Sequence, residues 1–241
     1  MSFVWNKHNL KWFETAVIET EFYSKIVAKC SHIIDKESTF IDIGCGTGEL
    51  SICLSYYTKF GTAVDINKLA IDRLKHKCIN LGINNITFLV ADWLKYNFSL
   101  RYDLVFLCYI NGFIPNIKKL KALCKKYLVL VLPKSLESNP FRIGEFCEIK
   151  SKHNETVYDV IEYLQLYNIN FELINHCEEF GQPFESFEEY TNFLRFYFKI
   201  NDIVTINKIA SKYLIKTERG FYLPNIRESG IIIIKGDDLV E

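Results

Sequence analysis

The chain has 241 residues, of which 49% are apolar and 24% charged, enough for a substantial core in one α/β domain or in a core domain with an insertion. Lysine plus arginine and aspartate plus glutamate each total 29, so a zero net charge supplies no global pull toward the phosphates of nucleic acid. The eight cysteines are scattered, with no Cys-x-x-Cys pair and no metal-ligand cluster, which argues for reduced thiols and against structural zinc. The residues behind Met1 carry no long apolar run, and no segment reaches the roughly 18 apolar residues of a membrane span. No membrane association and a cytoplasmic location are therefore expected.

Short apolar runs alternate with amphipathic segments, the pattern of an α/β sheet. The stretch 1–36 reads as a helical extension carrying Trp5, His8, Trp12, Phe13, Phe22 and Tyr23. Thr39–Ile43 is predicted as the first strand, with a helix from about Glu49. Residues 61–64 form a second strand ending at Asp65. Asn67 is placed to cap a helix whose Ile71, Leu74, Cys78 and Leu81 keep helical spacing, and Gly82 to stop it. Strands follow at 86–90, ending at Asp92, and at 104–108. A helix over Ile117, Leu120, Leu123 and Cys124 leads to a strand at 128–131. These near-continuous β-branched and leucine runs suit strands covered on both faces. Residues 134–153 read as irregular. A helix over Val157, Ile161, Leu164 and Tyr167 precedes a strand at 170–177. The aromatic-rich stretch 178–226 is predicted to hold two helices, the first behind a Ser186/Glu189 capping box. A last strand covers 231–234, and the tail 237–241 reads as loose.

The informative constellation is Ile41-Asp42-Ile43-Gly44-Cys45-Gly46-Thr47-Gly48-Glu49. A strand that turns sharply into a helix while its backbone approaches a ligand needs glycines. Asp65, 23 residues beyond Asp42, stands where a carboxylate accepts bonds from both hydroxyls of a ribose. Asp92 is placed to accept from an adenine amino group, with Trp93 beside the ring. The alternation of Gly44, Gly46 and Gly48 departs from the dinucleotide fingerprint, which wants its third glycine at Glu49. A ligand without a pyrophosphate does not need that close anion contact.

Ile41–Glu49, with Asp65, Asp92 and the Asp103–Cys108 segment in order behind it, resembles the motifs of class I S-adenosylmethionine (SAM)-dependent methyltransferases over about residues 35–135. The resemblance implies a Rossmann-like, doubly wound, mostly parallel seven-stranded sheet of order 3-2-1-4-5-7-6 in one domain. That domain comprises the helical extension 1–36, a SAM-binding core 37–135, and a helical insertion 178–226 before the last strand, positioned to serve as a substrate lid. It implies SAM as cofactor. The methionine end faces Asp42, Gly44, Cys45, Gly46 and Gly48, and the ribose meets Asp65. Ile66, Asp92 and Trp93 border the adenine, and Cys108 lies under the sulfonium.

The segment after the fourth strand, Cys108-Tyr109-Ile110-Asn111-Gly112-Phe113, lacks the Asn/Asp-Pro-Pro-Tyr/Phe pattern of methyltransferases that act on amino groups of nucleic acid or glutamine. A small-molecule acceptor is therefore expected. An RNA- or protein-directed enzyme and a non-catalytic SAM-binding module remain open. An NAD-dependent oxidoreductase is disfavoured by the glycine spacing and by the absence of a Tyr-x-x-x-Lys relay. Tyr109 and Asn111 are candidates for positioning the acceptor, and His8 for accepting a proton. Cys108 reads as an inert buried thiol. His32, His76, His153 and His176 read as surface or helix residues, and Lys118, Lys119, Lys121, Lys125 and Lys126 as a solvated helix face. No metal is expected, and the oligomeric state is left open.

Overall fold

A computed structural model describes residues 7–135, 139–148 and 154–239, with side chains from residue 9 onward. Two helices, α1 (Lys7–Thr20) and α2 (Phe22–Lys29), precede the core and are separated at Glu21, which takes φ 51°. Then follow β1 (Thr39–Ile43), α3 (Glu49–Ser55), β2 (Phe60–Asp65), α4 (Lys68–Leu81), β3 (Ile86–Val90), β4 (Tyr102–Cys108), α5 (Ile117–Leu123) and β5 (Cys124–Pro133). The second half carries α6 (Val157–Leu166), β6 (Glu172–Glu179), β7 (Gln182–Phe184), α7 (Phe187–Phe198), α8 (Ile203–Tyr213), β8 (Ile215–Thr217), β9 (Gly220–Leu223) and β10 (Ile226–Lys235).

The main sheet runs β3-β2-β1-β4-β5-β10-β6, which is the expected order with β10 as its seventh strand. β1 through β5 pair in parallel, and β10 lies antiparallel between β5 and β6. Strand alternation sends Phe40, Leu104, Phe106 and Val129 into a layer with α2, α3 and α4. Ile41, Ile43, Val105 and Leu130 face α5 and α6. Both sheet faces are therefore covered, which accounts for the unbroken apolar runs.

Local signals place the helix ends. The Asn67 Oδ1 accepts the N–H groups of Leu69 and Ala70 at 3.0 and 3.2 Å, and Gly82 closes α4 with φ 68°. At α7 the Ser186 side chain accepts from the Glu189 N–H, but the Glu189 carboxylate reaches back to the N–H of Glu185. A complete capping box forms instead at Thr156 and Asp159, ahead of α6.

Several expectations need correction. Residues 178–226 hold a three-stranded antiparallel sheet, β7-β9-β8, besides the two helices. Strands of three or four residues leave too short a periodicity to read. The same stretch contributes Glu178 and Glu179 to β6 and Ile226 to β10. Cys124, Lys125 and Lys126 belong to β5, so the basic run is split between a helix and a strand. Residues 236–239 are ordered: a 3₁₀ turn at Gly236–Asp238 brings Leu239 into the core at 1% exposure. His176 is fully buried in β6 against the Phe22 ring, 4.8 Å between centroids, and burial lowers its pKa to about 4. Trp5, His153 and the side chain of His8 lie outside the described residues.

Candidate functional site

The parallel strands β1, β2, β3 and β4 all end at one edge of the sheet, and a cleft of about 1360 Å³ opens there. Open α/β sheets bind ligands at that edge, where the strand order reverses, here between β1 and β4. Asp42, Gly44, Cys45, Gly46, Asp65, Ile66, Asp92, Trp93, Cys108, Tyr109 and Asn111 all line the cleft. Gly48 is set back from it as the residue that caps α3.

The turn after β1 is built by three left-handed glycines, Gly44, Gly46 and Gly48, at φ 71°, 55° and 79°. The N–H groups of Gly44 and Cys45 both donate to Val64 O, at 2.7 and 3.0 Å, which ties the turn to β2. A Cβ on Gly48 would lie 2.3 Å from Leu74 Cδ1, and Leu74 is itself fully buried. Gly48→Ala is expected to lose about 2–3 kcal/mol in urea unfolding, from the positive φ and the overpacking together. A loss below about 0.5 kcal/mol would mean that the turn relaxes freely.

Asp65 ends β2 with its two oxygens divided. Oδ2 accepts the Gly46 N–H at 2.9 Å and Oδ1 the Asn67 N–H at 2.7 Å. Each oxygen keeps further acceptor capacity, and a vicinal diol donating both of its hydroxyls needs such a pair of acceptors. Ile66, 57% exposed, offers an apolar surface beside it. Across the cleft, Asp92 uses Oδ1 to accept the Leu94 N–H at 3.0 Å. It is thus partly a turn former.

Asp42 is 1% exposed, in the middle of the edge where β1 meets the turn. Burial raises its pKa to about 7. The Ser51 hydroxyl, donating to Oδ2 at 2.6 Å, pulls the other way, and the nearby Asp65 charge raises it further. A buried carboxylate beside a second carboxylate suits a cationic ligand. The chemistry of these groups thus fits SAM, which combines a cationic methionine end, a ribose diol and an adenine.

The loop after β4 is held from a distance. The Glu155 carboxylate accepts three consecutive N–H groups, from Gly112, Phe113 and Ile114, at 2.5, 3.1 and 3.1 Å. Glu155 is only 7% exposed. Nothing in the sequence marks it, because the 134–153 stretch ahead of it carries no pattern. Glu155→Ala is expected to cost about 2–3 kcal/mol in thermal or urea unfolding, since buried donors lose a charged acceptor. An unchanged midpoint would show that the loop finds other partners.

Tyr109 takes φ 56°, an uncommon conformation for a bulky residue. Its hydroxyl is hydrogen-bonded to the Ser229 hydroxyl, and burial pushes its pKa up to about 12. Asn111 Oδ1 accepts the Asn154 N–H at 3.2 Å. The thiols of Cys45 and Cys108 are both driven well above their ordinary range by burial. Neither is poised as a nucleophile.

A cover of aromatic residues lies over the side of the cleft away from the glycine turn. Trp12 of α1 packs on Phe193, Phe196 and Tyr197 of α7, with ring centroids 5.4, 5.7 and 5.7 Å apart. The extension and the insertion therefore pack on each other, and Phe13, Phe193 and Tyr197 line the cleft. The α7 stripe thus both packs the insertion, through Tyr190, Phe193 and Leu194, and lines the cleft, through Phe193 and Tyr197. Behind the glycine turn, Glu14 of α1 accepts two bonds from Arg73, each 2.7 Å. Lys77 pairs with both Glu14 and Glu49. Arg227, at the start of β10, was also missed: its strand begins five residues before the predicted one at 231.

A model of the methyltransferase-domain family matches residues 34–210. A SAM-dependent methyltransferase from Aquifex aeolicus superposes with a TM-score of 0.55 at 16% identity, covering 73% of this chain and 94% of that one. The tRNA (m1A58) methyltransferase TrmI of the same organism gives 0.51 at 12% identity, covering 88% and 68%. An uncharacterized protein of Methanocaldococcus jannaschii, MJ1452, is 20% identical over 193 residues, 71% of this chain and 74% of that protein. Both structural likenesses speak for the fold alone. With the matched residues spanning the glycine turn, Asp65, Asp92 and the strand-four loop, the chain belongs to the methyltransferase-domain family, as a class I methyltransferase with SAM as its cofactor.

Proposed function

We propose that the protein is an enzyme that transfers a methyl group from SAM to a small-molecule acceptor. In this reading Asp42, Gly44, Cys45, Gly46 and Gly48 face the methionine end and Asp65 takes the ribose hydroxyls. Ile66, Asp92 and Trp93 border the adenine, and Cys108 lies beneath the sulfur. The donor supplies a methyl group already activated by its sulfonium, so the acceptor can displace it in line. The chain then has to orient the acceptor and exclude water. Tyr109 and Asn111 are positioning residues. With its hydroxyl shared with Ser229 and its pKa raised, Tyr109 is a poor base. The whole chain acts as one domain in which the extension 1–36 and the insertion 178–226 roof the core 37–135.

The observation that carries the acceptor class is the lining of the cleft. Among the described residues its carboxylates (Asp42, Glu49, Asp65, Asp92, Glu148 and Glu228) outnumber its bases (Arg142, Lys199 and Arg227), and aromatic rings cover its far side. An RNA-binding groove requires the opposite balance, because phosphate contacts dominate affinity. No described helix is long and apolar enough to cross a membrane. The eight cysteines are all free, in keeping with a reducing, cytoplasmic setting.

The test is to incubate the protein with a tritiated methyl donor and cell extract separated into small-molecule, RNA and protein fractions. Label is expected in the small-molecule fraction. Label in RNA or protein alone would overturn the acceptor class, and no transfer from any fraction would favour a binding module.

A further inference from the structure

We infer that Arg227 forms an oxyanion subsite beside the donor site, so that the methyl acceptor carries a carboxylate or phosphate on a planar, apolar body. This rests on the methyltransferase reading of the cleft and names the chemistry of its acceptor. Arg227 lies among three aromatic rings. Its guanidinium carbon is 3.7 Å from the ring centroid of Phe180, 5.2 Å from that of Tyr109 and 5.4 Å from that of Phe22. It is partly buried and lines the cleft. Such rings stabilise a guanidinium through their faces but accept few of its five N–H donors.

Among the described residues no carboxylate pairs with Arg227. Glu178, opposite it in the register between β10 and β6, is bonded to Lys29 at 2.6 Å and lies 3.6 Å from Lys25. Glu179 accepts from the Tyr222 hydroxyl at 2.6 Å and the Asn225 N–H at 3.1 Å. A guanidinium without its own anion, open to a cavity, is the partner a planar oxyanion binds with two parallel hydrogen bonds. Phe13 and Tyr197, partly buried rings that line the same cleft, offer flat apolar surface to the rest of such a molecule.

Sheet order decides which ligand the anion belongs to. β10 lies three strands from β1, roughly 14 Å at about 4.8 Å per strand. The glycine turn and Asp65 are on β1 and β2, whereas Arg227 reaches Tyr109 at the end of β4. Arg227 therefore stands on the acceptor side of the switch point.

The experiment uses benzoate and phenyl phosphate as the two oxyanion probes and benzamide as the neutral control. Each is titrated calorimetrically into the full-length protein saturated with S-adenosylhomocysteine (SAH). At least one anion is expected to bind tenfold or more tighter than benzamide, and the better of the two identifies carboxylate or phosphate. Arg227→Gln should erase that preference while SAH affinity stays within about twofold, and Arg227→Lys should keep part of it. The inference is overturned if benzamide binds as tightly as both anions, if neither anion binds, or if Arg227→Gln retains the preference. A large loss of SAH affinity in Arg227→Gln also overturns it, assigning the guanidinium to the donor's own carboxylate. If wild type fails to bind SAH at all, the donor reading fails. The anion titration is then scored on the protein alone by the same criteria.

Discussion

Asp65→Ala is expected to weaken SAM and SAH binding by about 100-fold or more. The ribose diol loses two charge-assisted hydrogen bonds, each of about 1.5–3 kcal/mol, and about 1.4 kcal/mol is a factor of ten in affinity. The variant also removes the acceptor of the Gly46 and Asn67 N–H groups, so part of the loss comes through a loosened glycine turn. Asp65→Asn separates the two contributions, because its amide oxygen still accepts one N–H while the charge is gone. Equilibrium dialysis with labelled donor, on variants whose circular dichroism matches wild type, gives the numbers. A folded Asp65→Ala protein that binds within threefold of wild type removes Asp65 from the site.

The second large effect is on stability as a function of pH. Asp42 has a folded pKa of about 7 against an ordinary 3.8. The unfolded chain releases this proton first, so from about pH 4 to pH 7 the folded state holds more protons than the unfolded state. Asp42 thus contributes stability that is complete below about pH 4 and is lost as the pH rises through 7. At about 1.4 kcal/mol per unit, the span amounts to about 4 kcal/mol. Chemical denaturation of the ligand-free protein should therefore show Asp42→Asn to be the more stable chain at pH 8. The two should converge toward pH 4. Parallel profiles for the two proteins would mean that Asp42 is ionised without penalty.

With the methionine end placed beside it as proposed, the same carboxylate should link binding to protons. A cationic methionine end beside Asp42 lowers its pKa, so SAM binding near pH 6 is expected to release a proton to the buffer. Calorimetric heats in two buffers of different ionisation enthalpy should differ accordingly, and in Asp42→Asn they should coincide.

Much of this was legible in the sequence because the physics there is local. Thr39–Ile43 and Leu128–Val131 are short, mostly apolar runs that suit strands covered on both faces, and Gly44, Gly46 and Gly48 mark a turn that side chains would strain. Asn67 and Gly82 bracket α4 by their own hydrogen bonding and φ. The surroundings of Arg227 and of the loop after β4 were not legible, because they are assembled from distant elements. Arg227 gains meaning only when Phe22 of α2, Tyr109 after β4 and Phe180 after β6 surround it. Glu155 resembles any loop acid until the three N–H groups after β4 converge on it. His176 alternates with polar neighbours as an edge-strand residue should, yet α2 covers it.

A crystal structure of the protein with SAH is the most direct test of the assignment of this cleft. The ribose hydroxyls are expected on the Asp65 carboxylate, the adenine between Ile66 and Trp93, and the sulfur open toward the Tyr109 and Arg227 side. Nucleoside density elsewhere on the molecule, or in the cleft but out of contact with Asp65 and the glycine turn, would contradict it.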